Sequence, residues 1–247
     1  MVETATRAGV SQLSPTEDGI KVLKEMAFDS FKRISDHQFA NGLIPASVGR
    51  YDDEHFRDMV WVKDNVRAVK FALDPLVQKH LPQLYDPQFI QEMGYTKTAR
   101  ELYLSAIHGL LRIKAQPEQQ ARFASRPGLP GEDGYSTIDD QRVPAIKFYG
   151  PDGSIYYNWG HNQPDNWATL LLESGKGIET GWPILESGSQ ETIPLGDILQ
   201  RITSYLVSLR IERFICRSLW EHNAGWSSYS TRKMVAAGLE QMEKIWH

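Results

Sequence analysis

The sequence predicts an all-α protein. Six stretches repeat apolar residues at three- and four-residue spacing, which places those side chains on one face of a helix. Little of the chain alternates between apolar and polar residues in the way that predicts a β-strand. The 247 residues suffice for one good-sized hydrophobic core and no Pro/Gly/Ser-rich linker divides them, so we predict a single domain over residues 1–247.

The first three helices are predicted from start signals and apolar spacing. Residues Ser14 to Glu17 have the pattern of a capping box with a proline at the first helical position, which predicts a helix from about 15 to 36. Residues 62–73 and 98–113 carry apolar side chains on one face each. Asp74 and the proline after it interrupt the second of these helices.

Three more helices are predicted in the second half of the chain. Residues 165–173 have the pattern of a helix start, and the other two helices cover 195–214 and 229–246. Between the third and fourth helices lies a segment from about 116 to 158, rich in glycine, proline and aromatic residues. Long loops in compact domains are usually functional or disordered. The aromatic content of this segment and a turn at 151–154, which could join two short strands, favour an ordered loop.

Composition excludes several classes of function. The net charge is −4 and no cluster of basic residues is present, which argues against a nucleic-acid partner. No apolar run approaches the length of a membrane span, and residues 1–14 lack the apolar stretch of a signal peptide. Cys216 is the only cysteine. We therefore expect a soluble cytoplasmic protein with no disulfide and no membrane partner.

Three clusters place a tryptophan beside a carboxylic acid. They lie at residues 61–64, 159–165 and 219–221. A sugar ring has an apolar face that packs on an indole and an edge of hydroxyls that bond to carboxylates and amides. Cleavage of a glycosidic bond also needs two carboxyl groups, one to protonate the leaving oxygen and one to activate water or attack. The clusters therefore indicate carbohydrate chemistry.

Glu221 is the candidate general acid. It follows Trp220, whose indole could shield the carboxyl group from water and raise its pKa, and it lies in a predicted loop between two apolar helices. The alternative interpretation is that Trp220 belongs to the core and Glu221 is a solvated loop residue.

The other two clusters also have structural explanations. Lys63 and Asp64 follow Trp61 at the start of a helix, where the helix dipole stabilises an acidic side chain. The neighbouring lysine could pair with that acid. Asp165 could likewise begin a helix and Trp159 could be a core residue. Gln163 is harder to explain by packing, and a side-chain amide bonds well to hydroxyls, which favours binding.

No cofactor or metal is expected. The seven histidines do not fall at the spacing of zinc ligands on a helix. Residues 175–181 resemble a phosphate loop only in glycine content, and we interpret them as a helix end and turn.

Taken in chain order, the clusters resemble glycoside hydrolase family 15, the glucoamylase-like family, and the related domain of the phosphorylase kinase alpha and beta subunits. Residues 42–47 resemble the entry segment of the family and 60–66 its W-x-R-D motif. Residues 159–165 resemble its W-G-x-x-Q-x-D motif, and 219–221 resemble the site of its catalytic acid. The resemblance extends from about residue 41 to the C-terminus.

The resemblance implies an (α/α)6 toroid-type barrel of paired helices and inverting hydrolysis of α-glucosidic bonds from a non-reducing end. It implies that Glu221 is the general acid and that an α-glucan or oligosaccharide is the substrate. The substrate-binding residues would be Trp61, Lys63, Asp64, Trp159, Gln163, Asp165 and Trp220.

The chain departs from the family in three respects. Lys63 replaces an arginine, which exchanges a bidentate fork for a point charge. His222 follows the acid where a second glutamate is frequent. The family barrel has twelve helices and carries its catalytic base in the C-terminal half, whereas six are predicted here. We therefore expect about half of a barrel, truncated at the C-terminus, that needs the remaining half or a partner chain.

Two further functions remain open. The departures and the kinase-subunit resemblance are compatible with a non-catalytic regulatory or glucan-binding module. A purely structural helical scaffold is the third interpretation. The sequence leaves the linkage open among α-1,4, α-1,6 and trehalose-type bonds.

Overall fold

A computed structural model describes most of the chain. The side chains and backbone are described for residues 17–46, 57–124, 143–157, 161, 163–186, 193–209 and 229–247, and the backbone alone for 215–217 and 224–226. This part of the protein is mostly helical, which confirms the predicted all-α class. No helix in these ranges is both long enough and apolar enough to cross a bilayer.

Nine α-helices lie in the described ranges. They are α1 Glu17–His37, α2 Val62–Val69, α3 Pro75–His80, α4 Pro87–Glu92, α5 Ala99–Ala115, α6 Pro117–Ala124, α7 Pro164–Glu179, α8 Leu195–Ser208 and α9 Tyr229–Trp246. Two 3₁₀ turns, Lys70–Leu73 and Pro82–Tyr85, connect α2 to α3 and α3 to α4.

Four short strands form two antiparallel pairs. β1 (Met59–Trp61) pairs with β2 (Lys147–Tyr149), and Trp61 lies opposite Lys147 in the register. β3 (Ile215–Arg217) pairs with β4 (Ala224–Trp226). The first pair joins segments that are far apart in the chain and lies directly before α2.

All six predicted helices are present, but the prediction missed the three short helices α3, α4 and α6 and the strands β1, β3 and β4. The predicted turn at 151–154 does join two short extended segments, since β2 precedes it and Phe148 forms an antiparallel bridge with Ile155 after it. The fifth predicted helix ends at Ser208 rather than 214, and α7, whose start was predicted at 165–173, runs to Glu179. The segment 116–158 is not a continuous loop, since it contains α6 and β2. Strands of three residues are too short to show alternation. The predicted capping box lies outside the described residues except for its last residue.

The missed helices α3 and α4 begin in the same way. Asp74 and Asp86 are their N-caps, and each aspartate side chain accepts a hydrogen bond from the backbone N–H two residues on. A proline then occupies the first helical position. The aspartate and proline that we interpreted as the interruption of one helix are therefore also the start of the next.

One cluster of buried apolar side chains forms the core. It includes residues of α2, α5, α7 and α8 together with the β1–β2 pair. Edge-to-face aromatic contacts lie within it: the ring of Phe123 is 5.4 Å from that of Trp167 and 5.5 Å from that of Tyr205. The ring of Phe123 in α6 therefore packs edge-to-face on rings of α7 and α8 and joins the three helices.

A lysine lies inside this core. Lys114 has no exposed surface, and its Nζ is 4.0 Å from the ring centroids of both Phe148 and Trp167. The ammonium group donates to the carbonyl oxygen of Ala145 at 3.2 Å. Burial holds the pKa of Lys114 well below its usual value, and the charge of Arg122 lowers it further.

Helices α7 and α9 approach closely because small residues line their contact. A Cβ atom added at Gly238 would lie 2.6 Å from the carbonyl oxygen of Ala168, and one at Gly175 would lie 2.5 Å from Cγ of Gln241. Gly175 lies inside α7, which ends four residues later at Glu179. Our interpretation of 175–181 as a helix end was wrong for this residue and correct for Gly181, which follows the helix with φ of +74°.

We expect Gly238→Ala to lower the free energy of unfolding by about 1–3 kcal/mol, because the new methyl group forces α9 away from the backbone of α7. Urea unfolding measures the change. Gly196→Ala is the matched control: Gly196 is also helical, but its added Cβ meets only a leucine methyl group at 4.0 Å. Because alanine is the better helix former, the control should be as stable as the wild type or more so. Equal stability of the two variants would contradict the close approach.

Candidate functional site

The first tryptophan–acid cluster lies where β1 meets α2. Trp61 ends the strand and is also the N-cap of the helix, with an extended backbone. The N–H of Val62 donates to the carbonyl oxygen of Ile146 at 3.0 Å, which anchors the start of the helix to the segment before β2. Lys63 and Asp64 follow in the first turn, with Lys63 buried and Asp64 exposed.

A buried ion pair connects the first cluster to the second. Nζ of Lys63 lies 2.9 Å from Oδ2 of Asp165, with 8 % of the surface of Lys63 and 1 % of that of Asp165 exposed. Asp165 is in the first turn of α7, directly after Pro164 at the first helical position. The two residues are 102 positions apart in the chain, so only the tertiary fold brings them together.

Only one oxygen of this carboxylate has a partner in the described ranges. Oδ1 of Asp165 is buried and accepts no hydrogen bond from a described residue. A buried carboxylate oxygen without a donor is costly, so such atoms usually bind water, a ligand or a catalytic group.

Amide side chains strengthen the same junction. Oδ1 of Asn166 accepts from the backbone N–H of Lys63 at 3.0 Å. The Nδ2 group of Asn166 lies 3.3 Å from Oε1 of Gln163, which is also buried. The start of α7 is thus bonded to the start of α2 through both side chain and backbone, which fixes the two clusters in one geometry.

A third segment is held by Asn65. Its Oδ1 accepts from the N–H of Ile44 at 2.8 Å, and its Nδ2 donates to the carbonyl oxygen of Ile44 at 2.7 Å. The N–H of Ala46 donates to the carbonyl oxygen of Met59 at 2.7 Å. Residues 42–46 therefore lie against β1 and α2.

Asp64 has a perturbed carboxyl group. Although its side chain reaches the surface, the surrounding protein desolvates the carboxylate, and this raises its pKa. The positive charges of Lys63 and Arg67 act in the opposite direction and are the smaller effects. The group is an exposed acid that holds its proton more readily than a solvated aspartate.

A second lysine lies against Trp61. Nζ of Lys147, which has no exposed surface, is 4.1 Å from the centroid of the Trp61 ring and 4.3 Å from that of Tyr156. Trp61 and Tyr156 are each half-buried. Cation–π attraction to one ammonium group therefore orients two aromatic rings that still reach the surface.

The structure brings together Lys63, Gln163 and Asp165 and places Trp61 and Asp64 in the same turn as Lys63. The other candidates, Trp159, Trp220 and Glu221, lie outside the described residues. In chain order Glu221 falls between β3 and β4, and this strand pair follows α8 and precedes α9. The predicted pairing of Lys63 with Asp64 is replaced by its ion pair with Asp165.

Sequence reasoning missed three residues of this site. Asn65 and Asn166 follow acids already singled out, and each is a polar residue at a buried helical position, a signal that favours a structural hydrogen bond. Lys147 had no comparable signal, because the pairing of β2 with β1 was not predicted. Its role depends on the strand register that places it opposite Trp61.

The arrangement offers an acceptor, a protonatable acid and aromatic surface within one region. Oδ1 of Asp165 can accept a hydrogen bond, the carboxyl group of Asp64 can exchange a proton, and the ring of Trp61 can pack on an apolar face. Among the described side chains, no three metal-ligating residues cluster.

Comparison with known proteins returned no relatives: neither a protein-family model nor a curated protein matches the chain.

Proposed function

We propose that these residues form the sugar-binding wall of an inverting α-glucosidic hydrolase site of the glucoamylase type. The observation that supports this most strongly is the Lys63–Asp165 ion pair with its second, unpaired carboxylate oxygen. It connects two segments that we singled out for sugar chemistry before any contact between them was known.

A sugar hydroxyl is a suitable partner for the unpaired oxygen. Lys63 fixes the orientation of the Asp165 carboxylate, so Oδ1 is a rigid acceptor, but it is buried, and a hydroxyl group reaches it only if the residues around it open. Preorganised acceptors bind hydroxyls with little loss of entropy. Trp61, oriented by Lys147, provides the adjacent aromatic surface on which the apolar face of a pyranose packs.

The chemical step is assigned to residues outside the described ranges. In the proposed mechanism Glu221 protonates the leaving glycosidic oxygen, and a second carboxylate about 6.5–9.5 Å away activates the attacking water. That base would come from the other half of an (α/α)6 barrel or from a partner chain. Asp64 would bind a hydroxyl of the terminal sugar.

We expect Asp64→Asn to weaken binding of maltoheptaose by about 10- to 100-fold, because a hydrogen bond to a charged group contributes about 1.5–3 kcal/mol. Isothermal titration calorimetry measures the affinity. Asp197→Asn is the matched control, since Asp197 is an exposed aspartate in the first turn of α8. If Asp64→Asn binds as tightly as this control, Asp64 has no role in sugar recognition.

Hydrolysis is tested separately. In the complete protein, with the second carboxylate in place, Glu221→Gln should abolish release of glucose from maltoheptaose while leaving the affinity for the sugar nearly unchanged. Unchanged turnover in this variant would remove Glu221 as the general acid.

A non-catalytic glucan-binding module is the second candidate. One observation favours it: Lys63 directs its charge to Asp165, whereas an arginine at this position could bind the carboxylate and a ligand at once. Binding of maltoheptaose without release of glucose, measured with the other half of the barrel or the partner chain present, would support this candidate over the hydrolase.

A further inference from the structure

A groove lies on the surface between the 3₁₀ turn Pro82–Tyr85 and helix α5. Its volume is about 690 Å³, and the turn after α7 closes one side. Two half-buried aromatic side chains, Tyr85 and Trp182, line it together with prolines. The groove shares no lining residue with the site around Lys63 and Asp165.

Both rings are held in place by the core. The hydroxyl group of Tyr85 donates to the carbonyl oxygen of Ala72 at 2.7 Å, and burial raises the pKa of Tyr85 to about 12. The ring of Trp182 packs edge-to-face on Tyr103 with centroids 5.0 Å apart. The N–H of Trp182 donates to the carbonyl oxygen of Gly177 at 3.0 Å. These rings can therefore receive a ligand without first becoming ordered.

Polar groups of both signs lie beside the rings. The guanidinium group of Arg100 is exposed, lies 5.8 Å from the centroid of the Trp182 ring and has no carboxylate partner within the described ranges. Glu101 caps α5 through Oε2, which accepts from Thr98, and its Oε1 accepts no hydrogen bond from a described residue. The groove therefore offers a ligand the N–H donors of the Arg100 guanidinium group and the Oε1 acceptor of Glu101.

We infer that this groove is a second binding site for α-glucan, separate from the proposed catalytic site. Fixed aromatic rings suit the apolar faces of successive pyranoses, and the guanidinium and carboxylate suit their hydroxyls. A groove with one positive and one negative group gives no net attraction for an anionic ligand. An open groove also fits a chain that continues beyond it. The inference rests on the proposed function for the identity of the sugar.

Hydrogen–deuterium exchange of the full chain in maltoheptaose locates the binding. We expect protection of backbone amides at 98–104 and 182–186 in the wild type and equally in Asp64→Asn, whose proposed catalytic site is weakened. Trp182→Ala and Arg100→Ala should each lose the protection at the groove. Since Trp182 also contacts the core, Arg100→Ala is the variant that tests the groove without a change in folding.

Two matched controls should retain the protection: Tyr229→Ala removes an exposed aromatic ring on α9, and Arg33→Ala removes an exposed arginine on α1. Three results would overturn the inference: protection at 98–104 that survives Arg100→Ala, no protection at the groove in the wild type, or protection by a proline-rich peptide and none by maltoheptaose. Protection at the groove together with an unchanged maltoheptaose affinity in Asp64→Asn would instead support the groove as a binding site and reject Asp64 as a sugar ligand.

Discussion

Asp165→Ala should lower the free energy of unfolding by about 3–5 kcal/mol, because it leaves the ammonium group of Lys63 buried without its carboxylate. The loss is large because only 8 % of the surface of Lys63 is exposed, so water solvates its ammonium group poorly. Urea unfolding followed by circular dichroism measures it. Asp29→Ala is the control, since its pair with Arg33 is exposed on α1 and should contribute far less.

A double variant separates the ion pair from the packing around it. Lys63→Met with Asp165→Leu replaces both charges by apolar groups, and such replacements are frequently neutral or stabilising. We therefore expect the double variant to recover most of the stability that Asp165→Ala loses, while binding of maltoheptaose at the proposed catalytic site stays weak. A small effect of Asp165→Ala would mean that the ammonium group is solvated in solution.

The stability of the wild type should rise with pH relative to Lys114→Met, with a slope of up to about 1.4 kcal/mol per pH unit. Burial lowers the pKa of Lys114 in the folded state, whereas in the unfolded chain it is about 10.4. Between these two values the unfolded chain binds the extra proton, so raising the pH favours the folded state. Below the folded pKa both states are charged, and the slope vanishes.

Lys114→Met keeps the length of the side chain between Phe148 and Trp167 and removes the titration. Denaturation midpoints of both proteins at several pH values above neutrality measure the difference. The charged groups facing Lys114 are limited in the described ranges to Arg122, which also lowers the pKa and therefore acts in the same direction. Parallel pH profiles for the two proteins would show that Lys114 is solvated or paired.

The helices could be predicted because their apolar spacing extends over several turns. Ala99–Ala115 repeats buried residues along its whole length, and its periodicity alone locates it. The strands β1, β3 and β4 could not be predicted, because three residues do not define a period. Their pairing depends on contacts between distant segments, such as Trp61 with Lys147.

In the site, too, the local features could be predicted and the contacts between distant segments could not. The sequence singled out Lys63 and Asp165 as candidates, yet it indicated a local partner for the lysine. Local signals favour neighbours at short spacing, whereas the observed partner is supplied by the start of α7. Asn166 was missed for a related reason, since its bond to the N–H of Lys63 exists only after α2 and α7 meet.

The 102-residue separation between Lys63 and Asp165 has a consequence for the order of folding. Closing so long a segment loses chain entropy before the contact contributes any stability, and contacts of this kind slow folding. The region around Lys63 and Asp165 should then be among the last parts to assemble. If so, Asp165→Ala accelerates unfolding and leaves the folding rate nearly unchanged, with a φ-value near zero in stopped-flow measurements. A φ-value near one would instead make the meeting of α2 and α7 the nucleus from which the remaining helices condense.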